Sequence, residues 1–262
     1  MLLTTAARGE GDPADEPAAA ITTHLRAGGI RMGAPVSAEG AASADNYRHL
    51  VTQGEWEERR PDEAGEMKTL AVRGELWSAA LQAALDAHRK VFIPARPEPY
   101  YLDAPLILSS GRTLILAPGT QMRLRPGTNT CMVRNAHPVS GWGGPLPTDL
   151  QPDSDITIQG GIWTDLATAP WESNGNGRGA VDPQGSVPGA YGVIVLSNVA
   201  RVVVRDVTIA QSRPFGVHLS NVRDFVVENV RFEDHRRDGV HINGPAAYGI
   251  VRNISGVTGG VE

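Results

Sequence analysis

Asp238, His241 and Asn243 fall within one short run, Asp238-Gly239-Val240-His241-Ile242-Asn243, preceded by His235, Arg236 and Arg237. An aspartate can accept a proton, and a nearby imidazole can bond a hydroxyl or a carboxylate. The arginines offer planar forks that fit carboxylates; a solvated loop is the alternative reading of so short a charge run. His218 lies 23 residues before His241. Two histidines one repeat apart raise the question of a metal, but a catalytic zinc takes three protein ligands. No third is evident, so neither metal nor cofactor is expected. Trp163 and Trp171 could stack on ligand rings, although Trp163 directly follows a strand and packing is its plainer role.

The elements that position these residues repeat. Gly192-Val193-Ile194-Val195-Leu196, Gly216-Val217-His218-Leu219-Ser220 and Gly239-Val240-His241-Ile242-Asn243 recur at spacings of 24 and 23 residues. Val202 to Val207, Phe225 to Val230 and Gly249 to Ile254 form a second series in step. A fixed period in the low twenties with β-branched runs marks a β-solenoid. Alignment on the glycines places Val193, Val217 and Val240 in one inward column and Val195, Leu219 and Ile242 in another. It places Ile194, His218, His241 and Leu196, Ser220, Asn243 outward, either as a groove or as a plain solvated sheet face. Asp206, Asn229 and Asn253 stack at one bend, and Asn198 and Asn221 at another; short polar residues there satisfy backbone groups.

Upstream, apolar residues from Leu76 to Leu85 lie on one helical stripe, predicting a helix over Glu75–His88. Short strands follow at Val91–Ile93, Tyr100–Leu102, Leu106–Leu108, Thr113–Leu116 and Gln121–Leu124. A further repeat runs from Asp155 to Trp163, then a long loop from Thr164 to Ala190. The helix would plug the first turn of the stack. Residues 1–70 read as a poorly defined extension, disordered around Gly9–Pro17, with a short helix near Asp45–Val51. Residues 71–262 read as the repeat domain.

The bulk numbers limit the function classes. A net charge of −5 argues against a nucleic-acid partner. The single cysteine, Cys131, allows no internal disulfide and reads as a buried apolar residue. No run of 18 apolar residues predicts a membrane span. The N-terminus carries no apolar stretch of signal-peptide length. As written the chain reads as cytoplasmic, and as extracellular if its true start lies upstream.

Asp238-Gly239-Val240-His241-Ile242-Asn243-Gly244-Pro245, with the helix and strands from Ala79 to Pro94, resembles the pectin-lyase-like right-handed parallel β-helix superfamily. Within it the run resembles the family 28 glycoside hydrolases, the polygalacturonase-like branch. The likeness covers roughly residues 70 to 260. It implies an all-β, right-handed parallel β-helix with an N-terminal capping α-helix, and a polysaccharide or oligosaccharide partner of pectic type. It implies inverting hydrolysis with Asp238 in the water-activating pair; His218, Arg237, His241 and Asn243, from their places beside it, are the candidate substrate contacts. The family motif Asn-Thr-Asp-Gly reads Arg236-Arg237-Asp238-Gly239 here. The family's Asp-Asp pair would fall near residues 259–261, where Gly259, Gly260 and Val261 stand; Glu262 follows. The expectation is therefore a truncated member with little or no activity. A polysaccharide lyase is the second class, disfavoured because no acidic cluster marks the repeats. A non-catalytic carbohydrate-binding or spike-like surface protein is the third.

Overall fold

The computed structural model describes residues 15–61, 64–128, 130–139, 151–165, 192–212, 215–235 and 237–257. Arg236, Trp171, the Asn174–Gly177 segment, residues 1–14 and residues 258–262 lie outside them. The chain is mostly β, in a mainly parallel sheet with an N-terminal helix.

Helix α1 (Asp15–Ala27) comes first, where disorder was expected to extend as far as Pro17. β1 (Ala42–Ser43) and a 3-10 helix (Ala44–Leu50) follow, the latter close to the short helix expected there. β2 (Thr52–Pro61) and β3 (Met67–Leu76) form an antiparallel hairpin, the one antiparallel pairing among the described strands. β3 runs through residue 70, so the boundary expected there falls inside a strand. Helix α2 (Ser78–Ala87) starts later than its apolar stripe suggested, because Glu75 and Leu76 belong to β3.

From there the chain cycles through three parallel ladders. β4 (Lys90–Ile93), β5 (Tyr100–Leu102), β6 (Leu106–Leu108), β7 (Thr113–Leu116) and β8 (Gln121–Leu124) fall where the sequence placed strands. β9 (Val133–Asn135), β10 (Asp153–Gln159), β11 (Ile162–Thr164), β12 (Gly192–Arg205), β13 (Thr208–Ala210), β14 (Phe215–Glu233) and β15 (Val240–Val257) complete the set. β4 pairs β7, β7 pairs β10 and β10 pairs β12 in one ladder. β5 pairs β8, β8 pairs β11 and β11 pairs β13 in the second. β6 pairs β9 and β9 pairs β12 in the third. β14 and β15 then run through all three, in parallel register with each other. This arrangement is consistent with a β-solenoid.

Stacked register makes columns of like residues. Val91, Leu114, Ile158, Val204 and Val227 lie on one inward line and are all fully buried. Tyr100, Met122, Trp163, Ile209 and Phe232 make a second. Each such side chain contributes about 1.5–3 kcal/mol of burial. α2 adds Ala80, Leu81, Ala84 and Leu85 to the same core, with Trp77 beside them. Trp163 is buried and its indole donates to the Gly160 carbonyl at 3.0 Å, which makes it a packing residue. Cys131 is buried as expected.

The bends are built from residues that tolerate left-handed backbone. Asp206, Asn229 and Asn253 sit at φ of 54°, 56° and 53°. Their side chains bond in series: Asn229 donates to Asp206 at 2.8 Å and Asn253 to Asn229 at 2.9 Å. Asn198 and Asn221 occupy the same backbone region one repeat apart. Short polar side chains reach that region at lower cost than others.

The register corrects the glycine-based alignment. Gly192 pairs with Phe215, not Gly216. The columns are therefore Ile194, Val217, Val240; Val195, His218, His241; Leu196, Leu219, Ile242; and Ser197, Ser220, Asn243. The physical reason lies in Phe232. A Cβ at Gly216 or Gly239 would sit 2.3 or 2.7 Å from its ring, whereas one at Gly192 meets no part of it. Gly192 is not the equivalent of the other two.

Candidate functional site

Asp238 lies in the connection from β14 to β15, and His241 on the second residue of β15. Asp238 Oδ2 and His241 Nδ1 are 2.8 Å apart. The Asp238 side chain is 60% exposed and that of His241 28%. The carboxylate thus meets solvent while the imidazole holds it in one orientation.

His241 is itself held from behind. Its ring stacks on Phe215 with centroids 3.8 Å apart and 4° between planes. His218 meets both rings edge-on, at 5.2 Å from Phe215 and 5.1 Å from His241. The Arg237 guanidinium lies over the Phe215 ring, 4.9 Å from its centroid. Such a contact is worth about 0.5–1 kcal/mol at an exposed site. Three of the residues singled out in the sequence, His218, His241 and Arg237, therefore meet at Phe215, with Asp238 joined to them through His241; nothing in the repeat pattern pointed to Phe215. Asn243 lies two residues further along β15, beside Ser220.

The outward columns are not a plain solvated face. His218 is 1% exposed, and Ser197 and Ser220 are covered as well. His218 therefore acts as a floor under His241 and does not present itself to a ligand, contrary to the sequence reading. Ser197 is covered by the segment after β9: its hydroxyl donates to the Val139 carbonyl at 2.8 Å. Arg236, the first arginine of the basic run, lies outside the described residues. So do Glu262 and the 259–261 segment, where the resemblance sought a second carboxylate pair.

A second histidine–aspartate pair escaped the sequence reading. His137 Nδ1 is 3.0 Å from Asp153 Oδ1. Asp153 also accepts from the Asn135 amide at 2.8 Å and from the His137 backbone N–H at 2.7 Å. Burial alone would raise the Asp153 pKa; the bonds from His137 and Asn135 together outweigh it and hold the carboxyl below its usual range. Asn135 closes the network by exchanging bonds with the Ser197 backbone. With its acceptors engaged by structural donors, Asp153 pins loops together.

Among the described residues, no group of three or more His, Cys, Asp or Glu is placed to hold a metal ion. No helix of the described residues is long and apolar enough to cross a membrane.

No family model matches the chain, and no curated protein is significantly similar to it. Two solved structures of PfbA, a surface adhesin of Streptococcus pneumoniae, are similar to it at 17% and 16% identity, with TM-scores of 0.41 and 0.43. They cover 76% and 82% of this chain, which spans 42% and 48% of theirs, less than half. At that level the likeness carries no argument about what this chain does.

Proposed function

We propose that the chain is a right-handed parallel β-helix of the pectin-lyase-like kind, whose Asp238–His241 surface holds an acidic polysaccharide. The handedness rests on the strong preference of parallel crossover connections for the right hand. A crystal structure with left-handed turns would overturn that part.

The observation that carries the function is the Asp238 carboxylate, exposed yet fixed by His241 on the Phe215 platform. A fixed carboxylate accepts bonds from sugar hydroxyls, and the neighbouring Arg237 can pair with a uronate carboxylate. In an inverting hydrolase, Asp238 would draw the proton from the attacking water. A second carboxyl group, about 6.5–9.5 Å away, would have to protonate the leaving oxygen. The positions that resemble the family's second pair are Gly259, Gly260 and Val261, and none of these can do so. Binding is therefore the reading these residues support.

Affinity electrophoresis on polygalacturonate, run beside assays for reducing ends and for unsaturated products, tests this. Binding without either product is expected, with Arg237→Ala weakening it about tenfold. Absence of binding sinks the reading. Turnover that disappears in Asp238→Asn would instead make the chain a working hydrolase.

A further inference from the structure

A second feature lies far from Asp238 in the strand order, where β2, β3 and β5 close one end of the sheet and β15 lies at the other. A cavity of about 630 Å³ opens between the β2–β3 hairpin and the Arg96–Pro99 loop. That volume is in the range of small-ligand sites. Its lining carries three arginines, Arg48, Arg73 and Arg96, against the carboxylates of Glu75 and Glu98.

The arginines are arranged before any ligand arrives. Glu75 sits between two of them, 2.7 Å from Arg48 Nη2 and 2.5 Å from Arg96 Nη1. The Trp77 indole N–H donates to the same carboxylate at 3.1 Å. Partial burial raises the Glu75 pKa, but the bonds from Arg96 and Trp77 and the two guanidinium charges outweigh it, so the group stays ionised near neutral pH. Arg96 is clamped further. It lies 4.7 Å from the Trp77 ring centroid and 4.2 Å from that of Tyr100, and it donates to the Pro99 carbonyl at 2.7 Å.

The other two arginines keep donors to offer. Arg48 bonds Glu75 through Nη2, and its side chain is 59% exposed. Arg73 is 73% exposed, and its contact with Glu55 is loose at 3.8 Å. Behind Arg73 and Glu75 the strand backs directly onto the Trp56 ring, because residue 74 is glycine. A Cβ there would lie 2.8 Å from the Trp56 ring.

We propose that this cleft binds a small polar molecule through its carboxylate or phosphate oxygens, with Arg48 and Arg73 as the pairing forks and Arg96 as the fixed charge behind them. Guanidinium forks match both oxyanions, and a net positive, polar lining disfavours neutral apolar ligands. This site is separate from the polysaccharide surface and does not depend on that reading.

Calorimetric titration of the full chain at constant ionic strength tests it with sodium galacturonate, inorganic phosphate and neutral galactose. At least one anion is expected to bind, with galactose at least tenfold weaker. Which anion binds identifies the oxyanion source. Arg48→Gln with Arg73→Gln should lower the affinity about tenfold or more. Arg73→Gln alone breaks no close bond, so a drop in that variant with an unchanged melting temperature supports the site even if the double variant is unstable. The proposal is overturned if neither anion binds, if galactose binds equally well, or if both arginine variants keep full affinity.

Discussion

Phe232 shows how one side chain dictates its neighbours. Its ring occupies the space above Gly216 and Gly239, and a Cβ at Gly216 would also lie 2.6 Å from the Gly239 carbonyl. Gly216→Ala should therefore destabilise the fold by about 2–3 kcal/mol. Gly192→Ala, whose nearest contact would be 3.1 Å, should cost clearly less. Urea midpoints compare the two, and equal losses would contradict this account. Asp153 gives a pH effect at the same scale. Its carboxyl titrates below the ordinary 3.8 in the folded chain. The stability it supplies is thus complete above that value and is lost as pH falls through the lower, folded one. Asp153→Asn should flatten the acid limb of a stability profile below about pH 4; an unchanged limb would count against it. Asp238 and His241 were legible because a carboxylate and an imidazole stand out in an otherwise aliphatic repeat. Phe215 was not, since its role depends on which ring lies across the ladder. His218 was misplaced because alternation tells which side a residue faces, not whether something covers that side.

At the level of elements, the short strands from β4 to β8 were readable from β-branched runs cut by turn residues. Helix α1 and the segment after it were not assigned any place. Yet they cover the outward column of the first ladder. Leu25 and Ile30 pack on Val203 and Val226, with Ile21, Met32 and Ile250 around them. Beside that column runs a polar one, Gln159, Arg205, Glu228 and Arg252. It grips the strap. Gln159 exchanges bonds with the Val36 backbone at 2.6 and 3.0 Å, and Arg205 donates to the Ala34 carbonyl at 2.5 Å. Glu228, almost fully buried, takes Arg205 at 2.9 Å, Arg252 at 2.5 Å and the Gly33 N–H at 3.1 Å. Glu228→Ala leaves the buried Arg205 with Asp206 as its remaining carboxylate partner and should cost about 1–3 kcal/mol. It should also release the strap, seen as faster amide exchange at Gly33. Protection that survives the substitution would mean that apolar packing alone holds it. The clue was present in the sequence: valines at 203 and 226 continue the apolar run onto the outer face, and such a column needs a cover.

Across the whole molecule, the parallel ladders were legible because period and composition agree over several repeats, whereas the hairpin and strap occur once and leave no period to detect. The last of the described strands carries the clearest consequence at this scale. Val251 and Ile242 are 42% and 39% exposed, although the residues one repeat inward on their columns, Val227 and Leu219, are fully buried. Val257 is 66% exposed. Among the described residues, β15 pairs with β14 alone. An edge of this length and character invites pairing with another chain. Sedimentation of this chain should show concentration-dependent association, and Val251→Lys with Ile254→Lys should suppress it. A monomer at every concentration would refute that. The column residues also arrive in matching positions at every level, so whatever settles on β15 inherits an address: a newcomer with aliphatic side chains at the same intervals docks in step, and any other must come to rest out of phase.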